Sequence, residues 1–154
     1  MTVSANSTST SGRPAASSDS VRSRMSRQRR RDTQAELLVR GLLHARGIRF
    51  RVDARPEPDF RCKADIVWKT LHLAVFIDGC FWHGCPDHAT RPRANGEWWA
   101  QKLDTNIERD RRVDTVLATR GWTVLRFWEH EEPATVADAI CSQLRELREA
   151  RDSK

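Results

Sequence analysis

Apolar side chains in the segment DTQAELLVRGLLHARG fall at Leu37, Leu38, Leu42, Leu43 and Ala45, the stripe of one helix face. Thr33 followed by Glu36 has the spacing of a capping box, and Gly47 suits the residue that ends such a helix. The period then changes. Ile48–Val52 alternates, Asp65–Trp68 is a short β-rich run after a Pro-containing loop, and Leu71–Asp78 (LHLAVFID) is nearly all apolar. So apolar a run predicts a central strand covered on both faces. Residues 79–96 are punctuated by Gly79, Gly84, Pro86, Pro92 and Gly96 and read as an irregular loop. A charge-rich helix over Trp98–Arg120 stops at Gly121, Trp122–Trp128 (WTVLRFW) is a further strand, and Thr135–Arg151 is a final amphipathic helix. The order α-β-β-β-α-β-α predicts an α/β domain built on a mixed central sheet flanked by helices.

The ends of the chain break this pattern. Half of residues 1–20 are Ser or Thr and almost none is large and apolar, so this stretch is expected to be a disordered tail. It also lacks the apolar stretch of a secretory signal, and no run in the 154 residues has the ~18–20 apolar residues that span a bilayer; the expectation is a cytoplasmic chain with no membrane partner. The formal charge is +6, and residues 21–31 (VRSRMSRQRRR) hold six Arg and no acid. The whole excess therefore lies in a basic arm, and the body is balanced. Such an arm would neutralise phosphates and give salt-dependent binding. The expected organisation is a tail over 1–20, one domain over 21–150 that begins with the arm, and a short tail over 151–154.

Four Cys without an export signal suggest thiols or metal ligands before disulfides. Cys80, Cys85 and His88 lie within nine residues of one loop, and His130 follows the strand at 122–128. Zn²⁺ takes four N and S ligands in a tetrahedron, and short spacing lets one loop supply three. A fourth from a distant strand end would pin the loop and leave no open position, which makes the zinc structural. Cys62 and Cys141 lack neighbouring ligands and read as ordinary thiols.

Asp65 opens a strand that can lie beside Ile77 and Asp78, and a divalent ion needs oxygen ligands of this kind. His83, not needed as a zinc ligand, would be free to move protons, and Glu36 could orient a water or His83. The blander readings are a turn Asp, a surface His and a solvated Glu. Asp59, in Pro58-Asp59-Phe60, is a second candidate acid, but the Lys of a standard PD-(D/E)xK motif is missing from Asp78-Gly79-Cys80. Phe81 and Trp82, between Gly79 and Gly84, and Trp98 and Trp99 at a helix start, could insert between base steps or could be core. Lys102 and Asn106 share a helix face and could read base edges or be solvated.

In their order and spacing DTQAE, KADIVW, VFIDGCFWHGCPDH, NIERDRR and GWTVLRFWEHE resemble the very short patch repair (Vsr) DNA mismatch endonucleases over about residues 21–150. The resemblance implies a fold related to type II restriction endonucleases of the PD-(D/E)xK type. It implies nicking of one strand 5′ to the T of a T·G mismatch left by deamination of 5-methylcytosine. The partner would be a duplex carrying that mismatch, met by a monomer. By motif, Asp65 would bind catalytic Mg²⁺ together with the main-chain carbonyl of Ile77, His83 would be the catalytic histidine and Glu36 its supporting acid. Cys80, Cys85, His88 and His130 would hold the structural Zn²⁺. Phe81, Trp82 and Trp99 would be the aromatic wedge, Lys102 and Asn106 would face the mismatch, and Met25, with Arg22 and Arg24 beside it, would lie on the opposite groove. The chain departs from some members at Asp78, where they carry His.

Overall fold

A computed structural model describes residues 33–88 and 92–154. The expected tail 1–20 and the basic arm with Arg22, Arg24 and Met25 lie outside the described residues. Helix α1 (Gln34–Ala45) is followed by strands β1 (Arg51–Ala54) and β2 (Ala64–Trp68), a 3₁₀ turn (Lys69–Leu71) and strand β3 (Leu73–Asp78). Helix α2 (Gly96–Thr119), strand β4 (Thr123–Trp128) and helix α3 (Pro133–Asp152) complete the chain.

The four strands lie in the order β1-β2-β3-β4, antiparallel across the first two contacts and parallel across the third. The sheet is therefore mixed. The apolar run of β3 divides its side chains between two cores, as period-2 alternation requires. Leu73, Val75 and Ile77 pack with Ile66 and Trp68 against Val39 and Leu43 of α1 and Val136, Ile140 and Leu144 of α3. Ala74 and Phe76 pack with Val67, Leu117 of α2 and Trp122 on the other side. Helices thus cover both faces of the sheet, and all six residues of β3 are buried.

Boundaries differ from expectation where local turns consume residues. Ile48–Phe50 is not strand: the Ile48 N–H donates to the Leu43 carbonyl as the helix unwinds, and the Arg49 carbonyl accepts from the Trp68 indole. The first strand therefore runs over Arg51–Ala54. Leu71 lies in the 3₁₀ turn, and His72 takes a left-handed conformation (φ 50°) to reverse the chain from β2 into β3. Neither Gly nor Pro marks that reversal, so the apolar Leu71 reads as strand. Helix α1 is capped as its sequence implies. The Thr33 hydroxyl accepts from the Glu36 N–H at 3.3 Å and donates to its carboxylate at 3.0 Å, and Gly47 is left-handed (φ 73°) after the last turn. Among the described residues no helix is long and apolar enough to cross a membrane.

Leu43 is fully buried between α1, α3 and the sheet. Truncation there leaves a cavity under three elements at once, so Leu43→Ala lowers unfolding free energy by about 2–5 kcal/mol. Urea denaturation followed by tryptophan fluorescence reads this as a lower midpoint; an unchanged midpoint would place Leu43 outside the core.

Candidate active site and metal centre

Parallel strands β3 and β4 pair in register from Leu73 with Thr123 to Asp78 with Trp128, so both end at the same height. Cys80 and His130 each follow two residues later. They meet for that reason: Cys80 Sγ lies 3.1 Å from His130 Nδ1. The loop then doubles back. Gly84 makes this possible with φ 70°, and a Cβ there would meet Ile107 Cδ1 at 2.7 Å. Cys85 Sγ comes to 3.7 Å from both His88 and His130. One ligand atom from each of Cys80, Cys85, His88 and His130 lies within 4.8 Å of every other. Two thiols and two imidazoles at that separation fit Zn²⁺, and both Cys are buried. Glu129, which the sequence reading passed over, fixes the loop's entry: its carboxylate accepts from the Cys80 N–H at 2.9 Å, and its own N–H donates to the Asp78 carbonyl.

Asp65 sits where antiparallel β2 and β3 run side by side. Its Oδ2 accepts from the Ile77 N–H at 2.7 Å. Burial above all, with the charges of Glu36 and Asp78, pushes its carboxyl up to about 7 against the pull of that hydrogen bond and of Arg40. A half-buried acid held with other acids is a place where a cation would be welcome. Glu36 is itself buried and accepts from the Arg40 guanidinium at 2.9 Å, so it acts on Asp65 through its charge.

His83 lies on the other side of Asp78. Its Nδ1 is 2.5 Å from Asp110 Oδ2 and 3.7 Å from Asp78 Oδ1. Since an ionised carboxylate can only accept, Nδ1 carries the proton and Nε2 is the atom left for chemistry. Burial works against protonation of the ring, but the Asp110 hydrogen bond and the charges of Asp78 and Asp110 outweigh it and raise the His83 pKa. Asp110 shifts the opposite way: burial opposes its ionisation, and the His83 bond with the nearby Arg126 and Arg109 charges prevails. Arg126, one charged residue in an otherwise largely apolar strand, completes the group. It donates to Asp78 at 2.9 and 3.1 Å and to Asp114 at 2.9 and 3.0 Å. A cavity of about 200 Å³ opens here, lined among others by Asp78, His83, Asp110, Arg126 and Trp128.

Phe81, Trp82, Trp98 and Trp99 form one aromatic cluster, with ring centroids 4.9–5.8 Å apart in edge-to-face and tilted pairs. Trp99 is buried, whereas Phe81, Trp82 and Trp98 are half-buried. Asn106 is buried as well and donates to the Trp82 carbonyl at 3.2 Å, so it holds the aromatic loop to α2, while Lys102 is exposed. Asp59 stands apart: it is exposed and paired with Arg120 at 2.8 Å. Trp122 is core and its indole donates to Glu57, but Trp128 is only half-buried and lines the cavity. Cys62 and Cys141 are free thiols.

The sign of the Asp65 shift gives a stability test. From about pH 4 to about pH 7 the unfolded chain has lost this proton and the folded chain keeps it, so stability falls as pH rises through that window and levels above it. Asp65→Asn removes the titration. Its stability advantage over the parent, in urea without added divalent cation, is small near pH 4, grows to about pH 7 and is flat beyond. An advantage independent of pH would mean that the carboxyl is not held protonated by burial.

Comparison with known proteins places the chain in a family. Residues 6–89 match the family described as DNA mismatch endonuclease Vsr. The type II nicking enzyme V.NaeI of Lentzea aerocolonigenes is 43% identical over 131 residues, which cover 84% of this chain and 79% of the relative. The type II nicking enzyme V.NmeDIP of Neisseria meningitidis serogroup C is 31% identical over 132 residues, covering 84% of this chain and 85% of the relative. The DNA mismatch endonuclease Vsr of Escherichia coli (strain K12) is 36% identical over 100 residues, covering 64% of this chain and 62% of that protein. With a family match over more than half of its residues and a relative 43% identical across most of its length, this chain belongs to the Vsr DNA mismatch endonuclease family.

Proposed function

We propose that this protein is a DNA endonuclease that nicks one strand 5′ to the T of a T·G mismatch and so starts repair of deaminated 5-methylcytosine. One observation carries the reading. A half-buried acid, Asp65, and an imidazole oriented by Asp110 both feel the charge of Asp78, in a chain whose relatives are named nicking enzymes and a mismatch endonuclease. Binding alone would require neither group.

Mg²⁺ would be held by Asp65 and the main-chain carbonyl of Ile77, and when bound it supplies positive charge to the phosphate under attack. Around it the chain's own groups act. The negative charge of Glu36 raises the Asp65 pKa, so it helps keep a proton on Asp65 until a cation takes that proton's place. His83 moves a proton at Nε2 while Asp110 keeps Nδ1 occupied. Water attacks the phosphorus, the P–O3′ bond breaks, and the products are a 5′-phosphate and a 3′-hydroxyl. Zn²⁺ on Cys80, Cys85, His88 and His130 would be structural, because four protein ligands leave no open position.

Phe81, Trp82 and Trp99 would enter the duplex beside the mismatch, since an aromatic wedge unstacks base steps. Lys102 would face the mismatched pair, and Asn106 would act there through the Trp82 carbonyl it holds. Arg22, Arg24 and Met25 would meet the DNA from the N-terminal arm. A monomer suffices, since a single mismatch has no two-fold axis to match.

The test is cleavage of end-labelled duplexes carrying T·G, other mismatches or matched pairs, with Mg²⁺ and varied flanking bases. The expected result is one nick, 5′ to the mismatched T, and Asp65→Ala abolishes it while T·G binding in gel shift remains. Equal cutting of other mismatches or of matched DNA would move the reading to a related nuclease with another target; normal nicking by Asp65→Ala would remove Asp65 from catalysis. Metal content of the purified protein tests the second site. About one Zn²⁺ per chain is expected, released by Cys85→Ser with loss of thermal stability, and a stoichiometry near zero would end the zinc assignment.

A further inference from the structure

Two carboxylates face a single proton at His83. Asp110 Oδ2 is 2.5 Å from Nδ1 and Asp78 Oδ1 is 3.7 Å from the same atom. The ring can serve only one of them well, and the choice decides where Nε2 points. Burial does not separate them, because the Asp78 and Asp110 side chains are 10% and 16% exposed.

What separates them is Arg126. Its Nη1 engages both oxygens of Asp78, at 3.1 and 2.9 Å. Its Nε engages both oxygens of Asp114, and Nη2 donates to the main-chain carbonyl of Asp110 at 3.4 Å. From the Asp110 carboxylate the same Nη2 stays 4.0 Å away. The guanidinium is seated over the Phe76 ring, 4.3 Å from its centroid, and Phe76 is the residue paired with Arg126 across β3 and β4. One rigid cation thus occupies the Asp78 carboxylate, grips α2 at Asp110 by its backbone, and leaves the Asp110 carboxylate to the imidazole.

We propose that Arg126 is a positioning residue: by saturating Asp78 it makes Asp110 the sole strong acceptor for His83 Nδ1–H and so fixes the direction of Nε2. The role rests on the nuclease reading for its catalytic consequence, but not for its geometry. Lys is a poor substitute, since a point charge cannot hold two carboxylates and a carbonyl in one plane. Without Arg126, Asp78 becomes an uncompensated buried carboxylate that competes for the ring. Removing that competitor should restore the orientation.

The experiment is a cycle of R126M, D78N and R126M/D78N in the full-length, zinc-replete protein, with R126K and R126K/D78N as a second pair should R126M not fold. Two readouts are taken. Single-turnover nicking of a T·G duplex should fall roughly 10- to 100-fold in R126M with duplex affinity unchanged, a fraction of what general acid–base catalysis supplies. R126M/D78N should then recover to within about fivefold of the parent, an interaction between the two sites that independent roles would not produce. In DNA-free protein, ¹⁵N-detected NMR of the His83 ring should show Nδ1–H in one hydrogen bond in the parent, averaged in R126M, and single again in the double variant.

If R126M and R126M/D78N are equally impaired and the His83 ring signals are alike in all variants, the positioning role is overturned. Weaker duplex binding in R126M that D78N does not repair would overturn it in favour of a DNA contact. If the parent nicks no duplex while the NMR pattern holds, the nuclease reading fails and the positioning role stands.

Discussion

The in-register parallel pairing of β3 and β4 is the constraint on which both candidate sites depend. Because the strands end together, the residues that leave them begin their loops side by side, and Cys80 and His130 meet although 50 positions separate them. The same pairing sets Phe76 opposite Arg126, and two residues further along β3 Asp78 lies within reach of the guanidinium. A shift of one residue between the strands would turn every side chain of β4 to the opposite face. It would send Arg126 into the apolar layer now filled by Leu125 and Phe127, where no carboxylate could meet it. Burial of β3 on both faces makes this register costly to lose.

Charge is arranged in two neighbouring groups with different physical character. Around Asp65 the acids are close and mutually unfavourable, which keeps a proton on one of them and suits the site to a cation. Around His83 the acids are already satisfied, by a bidentate arginine and by the ring itself. Asp78 belongs to both: its charge is felt at Asp65 and at His83, while burial raises its own pKa and Arg126 offsets part of that rise. Phe81 and Trp82 of the aromatic cluster and three of the four candidate metal ligands, Cys80, Cys85 and His88, share the loop that carries His83, so its backbone is fastened from several directions, by Glu129 at Cys80 and by Asn106 at Trp82.

Periodicity along the chain was enough for the α/β class, the order of elements and the two-sided burial of β3, because hydrophobic alternation is a local property. The four metal-ligating candidates were also legible, since three crowd into one loop and the fourth closes a strand. Asp65 and His83 were visible as residue types, and their motifs carried the family. Local pattern misplaced the start of β1, where the unwinding end of α1 took Ile48, and the 3₁₀ turn, where a left-handed His72 reverses the chain without a Gly or Pro to announce it.

What only the tertiary structure decided is which charges meet. Asp59 and Asp65 are both acids preceding apolar residues, yet one pairs with Arg120 on the surface and the other, half-buried, accepts from the neighbouring strand at Ile77. Asp110 and Asp114 look like the solvated face of a charge-rich helix, and Arg126 like an irregularity in a strand. They come together because α2 crosses back over the sheet between β3 and β4 and lays one of its faces on the strand ends. Hydrophobic patterning is written in neighbours along the chain; electrostatic partnership depends on separations of a few ångströms between distant residues, and folding alone sets those.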